Sequence, residues 1–109
     1  MTEVVVRATD NDLDKYLNTM LPVVLDFWAE WCGLCKQMSP VVEDIAVEMN
    51  GKLKFLKVNV DINQEIASRY QVMSIPTLIF IKEKQELDRV IGALNRESFL
   101  KKIASIFNM

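Results

Sequence analysis

Residues 23–38 read Val-Val-Leu-Asp-Phe-Trp-Ala-Glu-Trp-Cys-Gly-Leu-Cys-Lys-Gln-Met, and the reading of this stretch decides the fold. Val23 to Trp28 is a near-continuous apolar run interrupted by one acid, Asp26. Such a run is the pattern of a central strand covered on both faces. Cys35 to Met49 reads as a helix, because Met38, Val42, Ile45 and Met49 recur at helical spacing and mark one buried side. Pro40 lies inside that helix and predicts a kink. Asn50-Gly51 predicts its stop. Between strand and helix stands a CxxC, Trp31-Cys32-Gly33-Leu34-Cys35.

Upstream, Glu3 to Arg7 contains the β-branched run Val4-Val5-Val6 and predicts a strand. Thr9-Asp10-Asn11-Asp12 predicts the cap of a short helix running to about Asn18, with Leu13, Tyr16 and Leu17 on one side. Downstream, Leu53 to Val60 predicts a strand. Asp61 to Tyr70 predicts a short helix, with Asp61 and Gln64 spaced as a capping box. Thr77 to Ile81 and Leu87 to Ile91 predict two strands joined by the charged turn 82–86. Asn95 predicts the cap of a last helix reaching about Phe107, its buried stripe formed by Phe99, Ile103, Ile106 and Phe107. The order βαβαβαββα implies an α/β domain with helices on both faces of the sheet. The last two strands break the alternation and predict an antiparallel pair in a mixed sheet.

The chain has 109 residues, half of them apolar and 26% charged. That size and balance predict one globular domain, residues 1–109. A formal net charge of −2 argues against a nucleic-acid partner, whose binders carry a basic face. No apolar run approaches the roughly 20 residues needed to cross a bilayer, and the opening MTEVVVRATD lacks the pattern of a secretory leader. A cytoplasmic, membrane-independent, monomeric protein is expected. There is no histidine, which removes histidine bases and Cys-His or Ser-His dyads. The only two cysteines form the CxxC, two ligands short of a mononuclear zinc site.

The position of the CxxC carries its chemistry. A helix N-terminus presents unpaired N–H groups and the positive end of the peptide dipoles. A thiolate there is stabilised, so Cys32 is expected to be acidic, exposed at the turn and nucleophilic. Cys35, one turn further in, is expected to be shielded and to resolve the mixed disulfide that Cys32 forms. A structural staple is the bland alternative, but so short a ring contributes little chain entropy. A metal clip, or an iron–sulfur site shared between two chains, is another. Asp26 among apolar neighbours is expected to be buried, with a raised pKa that suits proton exchange with Cys35. The alternative is a solvated sheet edge. Lys57, flanked by Leu56 and Val58, is a candidate partner and tuner of Asp26. Pro76 opens a strand, and only about 5–6% of X-Pro bonds are cis, so spacing alone leaves the Ile75-Pro76 bond undecided.

Asp26-Phe27-Trp28-Ala29, Trp31-Cys32-Gly33-x-Cys35-Lys36, Pro40, Ile75-Pro76-Thr77 and Gly92 in Ile91-Gly92-Ala93 together resemble the thioredoxin family over nearly the whole chain. The resemblance implies a five-stranded mixed sheet with four helices and reduction of protein disulfides by dithiol exchange. It implies that Cys32 attacks, Cys35 resolves and a buried Asp26 relays the proton. It implies a cis Pro76 and an apolar docking groove of Trp31, Ile75, Pro76, Gly92 and Ala93. It further implies no bound cofactor, with electrons arriving from NADPH through a thioredoxin reductase. Leu34 departs from the family's usual proline. Leucine returns an N–H near the sulfurs, so Gly33 and Leu34 are expected to tune the potential, toward a less reducing couple. The turn 82–86 also lacks the family's usual glycine, which predicts a local change of turn type. A non-catalytic binding module using the groove around Trp31, Ile75 and Gly92 is the competing reading from another class.

Overall fold

The computed structural model describes residues 4–109. Glu3, assigned above to the first strand, lies outside the described residues. In chain order the elements are β1 Val5–Arg7, α1 Leu13–Leu17, β2 Val23–Trp28, α2 Gly33–Glu48, β3 Lys54–Asn59, α3 Gln64–Arg69, β4 Thr77–Lys82, β5 Gln85–Ile91 and α4 Arg96–Phe107. The sheet order is β1-β3-β2-β4-β5. β1, β3 and β2 run parallel, and β4 is antiparallel to both β2 and β5. The α/β fold class and the mixed five-stranded sheet are therefore as the sequence reading had them.

β2 is central, and all six of its residues are buried. Side chains alternate across a strand, and the two faces have separate cores. On one face Val24, Phe55, Leu78 and Phe80 meet Met38, Val42 and Ile45 of α2 and Phe99, Ile103 and Phe107 of α4. On the other, Leu25, Phe27, Leu56 and Ile79 meet Leu13 and Leu17 of α1 and Ile66 of α3. The same alternation puts Asp26 and Trp28 on the Val24 face, and Lys57 on the Phe55 face. All three thus lie on the α2 side of the sheet. Pro40 sits inside α2 without ending it. Among the described residues no helix is long and apolar enough to cross a membrane.

Several local expectations are corrected. Thr9–Asp12 does form a cap, but one centred on Thr9 and ahead of α1. Thr9 Oγ1 accepts from the Asn11 N–H at 3.3 Å, the Asp12 carboxylate accepts from the Thr9 N–H at 2.7 Å, and the Thr9 carbonyl accepts from the Leu13 N–H at 3.0 Å, while Asp12 itself makes no side-chain cap bond. The Asp61/Gln64 capping box does not form. α3 begins at Gln64 after Asn63, which makes no side-chain cap bond. Its first turn is satisfied from outside: Asp10 accepts from the N–H groups of Ile66 at 2.9 Å and Glu65 at 3.4 Å. Asn63 Oδ1 in turn accepts from the Asp10 N–H at 3.0 Å. A cap supplied from 56 residues away leaves no local signature. The turn 82–86 is also shorter than read. β4 extends to Lys82 and β5 starts at Gln85, leaving Glu83 and Lys84 at φ 50° and 68°. Left-handed conformation at both central residues is the type I′ hairpin turn, here formed without glycine. The Asn95 cap of α4 is as read, with Oδ1 accepting from the Ser98 N–H at 2.8 Å.

Candidate functional site

Cys32 and Cys35 form a disulfide with their Cα atoms 5.3 Å apart. Cys32 is the N-cap of α2, with extended backbone, and its Sγ accepts from the Cys35 N–H at 3.1 Å. The Cys32 carbonyl takes the first helical bond, from the Lys36 N–H at 3.2 Å. The sulfur thus occupies the place of a capping oxygen, where an N–H and the helix dipole favour negative charge. One expectation fails here. Cys32 is 6% exposed and Cys35 5%, so the two are not separated by exposure in the disulfide form. Trp28 packs with both cysteines, and Ile75 packs against the group, which covers Cys32 as well. What distinguishes the cysteines is the cap position.

Asp26 is 5% exposed, and its Oδ1 has no hydrogen-bond partner. Burial drives its pKa up from 3.8 to about 7, with the positive charge of Lys57 pulling the other way. The solvated-edge alternative is excluded by this burial. Lys57 is the register partner of Asp26 on β3, yet it makes no ion pair with it. Its Nζ lies over the Trp28 ring, 4.2 Å from the centroid. A cavity of about 200 Å³ is lined by Asp26, Cys35, Trp28 and Lys57, and also by Arg7, Glu30, Lys36 and Ser39. The acid and the second cysteine therefore share one small space.

The residues read as a groove are brought together only in part. Trp31 is 71% exposed, and its indole N–H donates to Asp61 at 3.0 Å. Ile75 is half-buried on the cysteines, and the Ile75-Pro76 bond is cis. Pro76 is buried, so it offers little surface of its own. Its carbonyl accepts from the Gly92 N–H at 2.8 Å. Gly92 has φ 108°, and a Cβ there would meet nothing within 4 Å. The backbone angle, not space, calls for glycine at this position. Ala93 is exposed beside it, Leu34 is 47% exposed on the first turn of α2, and Gly33 is also exposed. Sequence reasoning missed Asp61 as the anchor of Trp31 and Trp28 as the neighbour of both cysteines and Lys57. Asp61 had been absorbed into a capping box. Trp28 looked like one more apolar residue of β2. Among the described residues no group of three or more His, Cys, Asp or Glu is placed to hold a metal.

A CxxC bridge capping a helix, beside a buried carboxyl whose pKa is pushed up to about 7, is the arrangement of a thiol–disulfide oxidoreductase. The thioredoxin family model matches residues 4–105. The chain is 44% identical over 95 residues to a thioredoxin of Rickettsia felis, covering 86% of this chain and 90% of that protein. It is 45% identical over 94 residues to a thioredoxin of Staphylococcus aureus, covering 86% and 89%. The chain belongs to the thioredoxin family, and its activity is that of a protein-disulfide reductase of thioredoxin type.

Proposed function

We propose that the chain reduces protein disulfides with Cys32 as the nucleophile, Cys35 as the resolving thiol and Asp26 as the proton acceptor and donor for Cys35. The observation that carries this assignment is the Cys35 N–H directed at Cys32 Sγ from the first turn of α2. In the reduced protein that donor and the helix dipole favour the Cys32 thiolate. The thiolate attacks one sulfur of a substrate disulfide, a Cys32–substrate bond forms, and the other substrate sulfur leaves as thiolate. Asp26 then takes the Cys35 proton across the cavity they share. The Cys35 thiolate attacks Cys32 Sγ, the internal bridge closes, and the second substrate thiolate leaves. Two electrons pass to the substrate, and the chain is left as the disulfide described above.

Trp31, Ile75, Gly92 and Ala93 are the docking surface, with Pro76 acting through its backbone. Gly33, Leu34 and Lys57 tune the couple, and the WCGLC sequence makes this a variant active site within the family. The two electrons return from NADPH through a thioredoxin reductase, with no cofactor held by the chain. Residues 1–109 work as one domain, as a monomer, in the cytoplasm. The test is insulin-disulfide reduction by dithiothreitol. The wild type should accelerate it and Cys32→Ser should not. No acceleration by the wild type refutes the assignment, and a biological role retained after both cysteines become serine would favour a binding module.

A further inference from the structure

We propose that Trp28 is a positioning residue for the exchange reaction: its ring holds the Lys57 ammonium and so withholds it from Asp26, leaving the buried carboxyl free to trade a proton with Cys35. The inference deepens the role given to Asp26 above and rests on it. Asp26 and Lys57 are register partners on adjacent parallel strands, on the same face of the sheet. A lysine and a carboxylate so placed inside a protein ordinarily pair, since the interior strengthens their attraction and an unpartnered buried carboxyl is costly. Here they do not pair. Asp26 Oδ1 is left without a hydrogen bond, and Lys57 Nζ sits 4.2 Å from the centroid of the Trp28 ring. A cation over a tryptophan face is held with up to about 2 kcal/mol when desolvated. Trp28 is itself fixed, being 8% exposed and packed with Cys32 and Cys35.

The other charges facing the cavity do not explain the separation. Arg7 comes from β1 as the register partner of Lys57, Glu30 from the segment after β2, and Lys36 from α2. Arg7 and Lys36 are cations that would add to the pull on Asp26, and Glu30 is exposed. The residue opposite Asp26 on β4 is Leu78, which offers no charge. The ammonium instead lies over the Trp28 ring. A directly paired Asp26 would stay ionised through the neutral range, because an adjacent cation lowers a carboxyl pKa by about 1–3. It would then accept the Cys35 proton less readily. A lysine parked on the ring tempers the carboxyl without capturing it.

The experiment follows the Asp26 carboxyl by NMR titration in the oxidised protein, in Trp28→Leu, Trp28→Phe, Lys57→Met and the Trp28→Leu/Lys57→Met double variant. Removing the ring should lower the Asp26 midpoint by about one pH unit or more. The smaller phenylalanine ring should lower it by less. Lys57→Met should raise the midpoint and make Trp28→Leu silent, since coupled residues show their coupling in such a cycle. A midpoint unchanged or raised by Trp28→Leu, or an equal shift in the Lys57→Met background, overturns the proposal. If Trp28→Leu does not fold, Trp28→Phe alone and in the Lys57→Met background decides by the same criteria. A separate arm measures release of a Cys32-bound substrate against pH in Asp26→Asn. An undiminished pH dependence there defeats the proton-relay role and leaves the titration result about Lys57 standing.

Discussion

Replacing Asp26 by asparagine should make the oxidised protein gain stability relative to wild type as pH rises. The carboxyl is 5% exposed, and burial raises its pKa from 3.8 to about 7. Between those values the native chain holds a proton that the unfolded chain has released. Stability therefore falls with rising pH over that window, by about 1.4 kcal/mol for each pH unit. Below about pH 3 both states are protonated and Asp26 costs nothing electrostatically. Above about pH 8 the native state must carry the buried charge, and the accumulated loss is about 4 kcal/mol. That is a large share of the 5–15 kcal/mol typical of a domain. Asparagine has nearly the same shape and no titration, so any fixed cost of its amide offsets the whole curve without changing its slope. Urea unfolding of both proteins at about pH 4, 6 and 8.5 reads the difference in free energy. It should widen in favour of the variant from the lowest pH to the highest, most steeply between 4 and 7. A difference that stays constant across the range, or that moves in favour of wild type, would refute the burial argument for Asp26.

Other substitutions report on separate links. Leu34→Pro removes an N–H from the first turn of α2 and should make the couple more reducing, by up to about 30 mV or tenfold in the exchange constant. Equilibration with glutathione measures this, and an unchanged or less reducing couple rejects the role given to Leu34. Cys35→Ser should accumulate a mixed disulfide between Cys32 and substrate, visible by mass spectrometry, whereas Cys32→Ser should not. Asp10→Ala leaves the Glu65 and Ile66 N–H groups without their partner and should cost about 1 kcal/mol in urea unfolding, with faster amide exchange confined to α3 and its entry loop. Phe99→Ala empties a fully buried site between Phe55 and Phe80, whose rings lie 5.9 and 6.2 Å away, and should cost about 3–5 kcal/mol.

What could be read in advance divides by the range of the interaction. The six buried residues of β2 and the helical stripe of α2 carry their own periodicity, so the central layer and the seat of the CxxC were legible. So was the Asn95 cap, where donor and acceptor are three residues apart. The cap of α3 was not, because its acceptor, Asp10, stands 56 residues earlier in the chain. The glycine-free I′ turn was missed because Glu83 and Lys84 adopt a conformation their side chains do not favour, imposed by the β4–β5 register. At the site, Asp26 and the cysteines announce themselves by type. Trp28 and Asp61 do not, since their roles depend on which neighbours the fold delivers to them. The equal burial of Cys32 and Cys35 likewise follows from Trp28 and Ile75 closing over both, a tertiary fact.

One residue in β2 breaks the rule that its five neighbours obey, and it lies on the face where α2 brings the second cysteine. A buried carboxyl without a full set of partners weakens the fold, and Val, Leu or Ile at position 26 would pack a fully covered strand better. Sequences that are consistent across levels keep such violations to places where chemistry needs them. Most of the cost at Asp26 has accumulated by neutral pH, where the carboxyl is nearest to half-protonated and therefore best able to accept and return a proton. A lysine in direct contact would relieve the fold and spoil the acid. Under the relay proposed above, the arrangement observed, with the cation over Trp28 and the cavity shared with Cys35, keeps the destabilised carboxyl in the state that the exchange reaction would use.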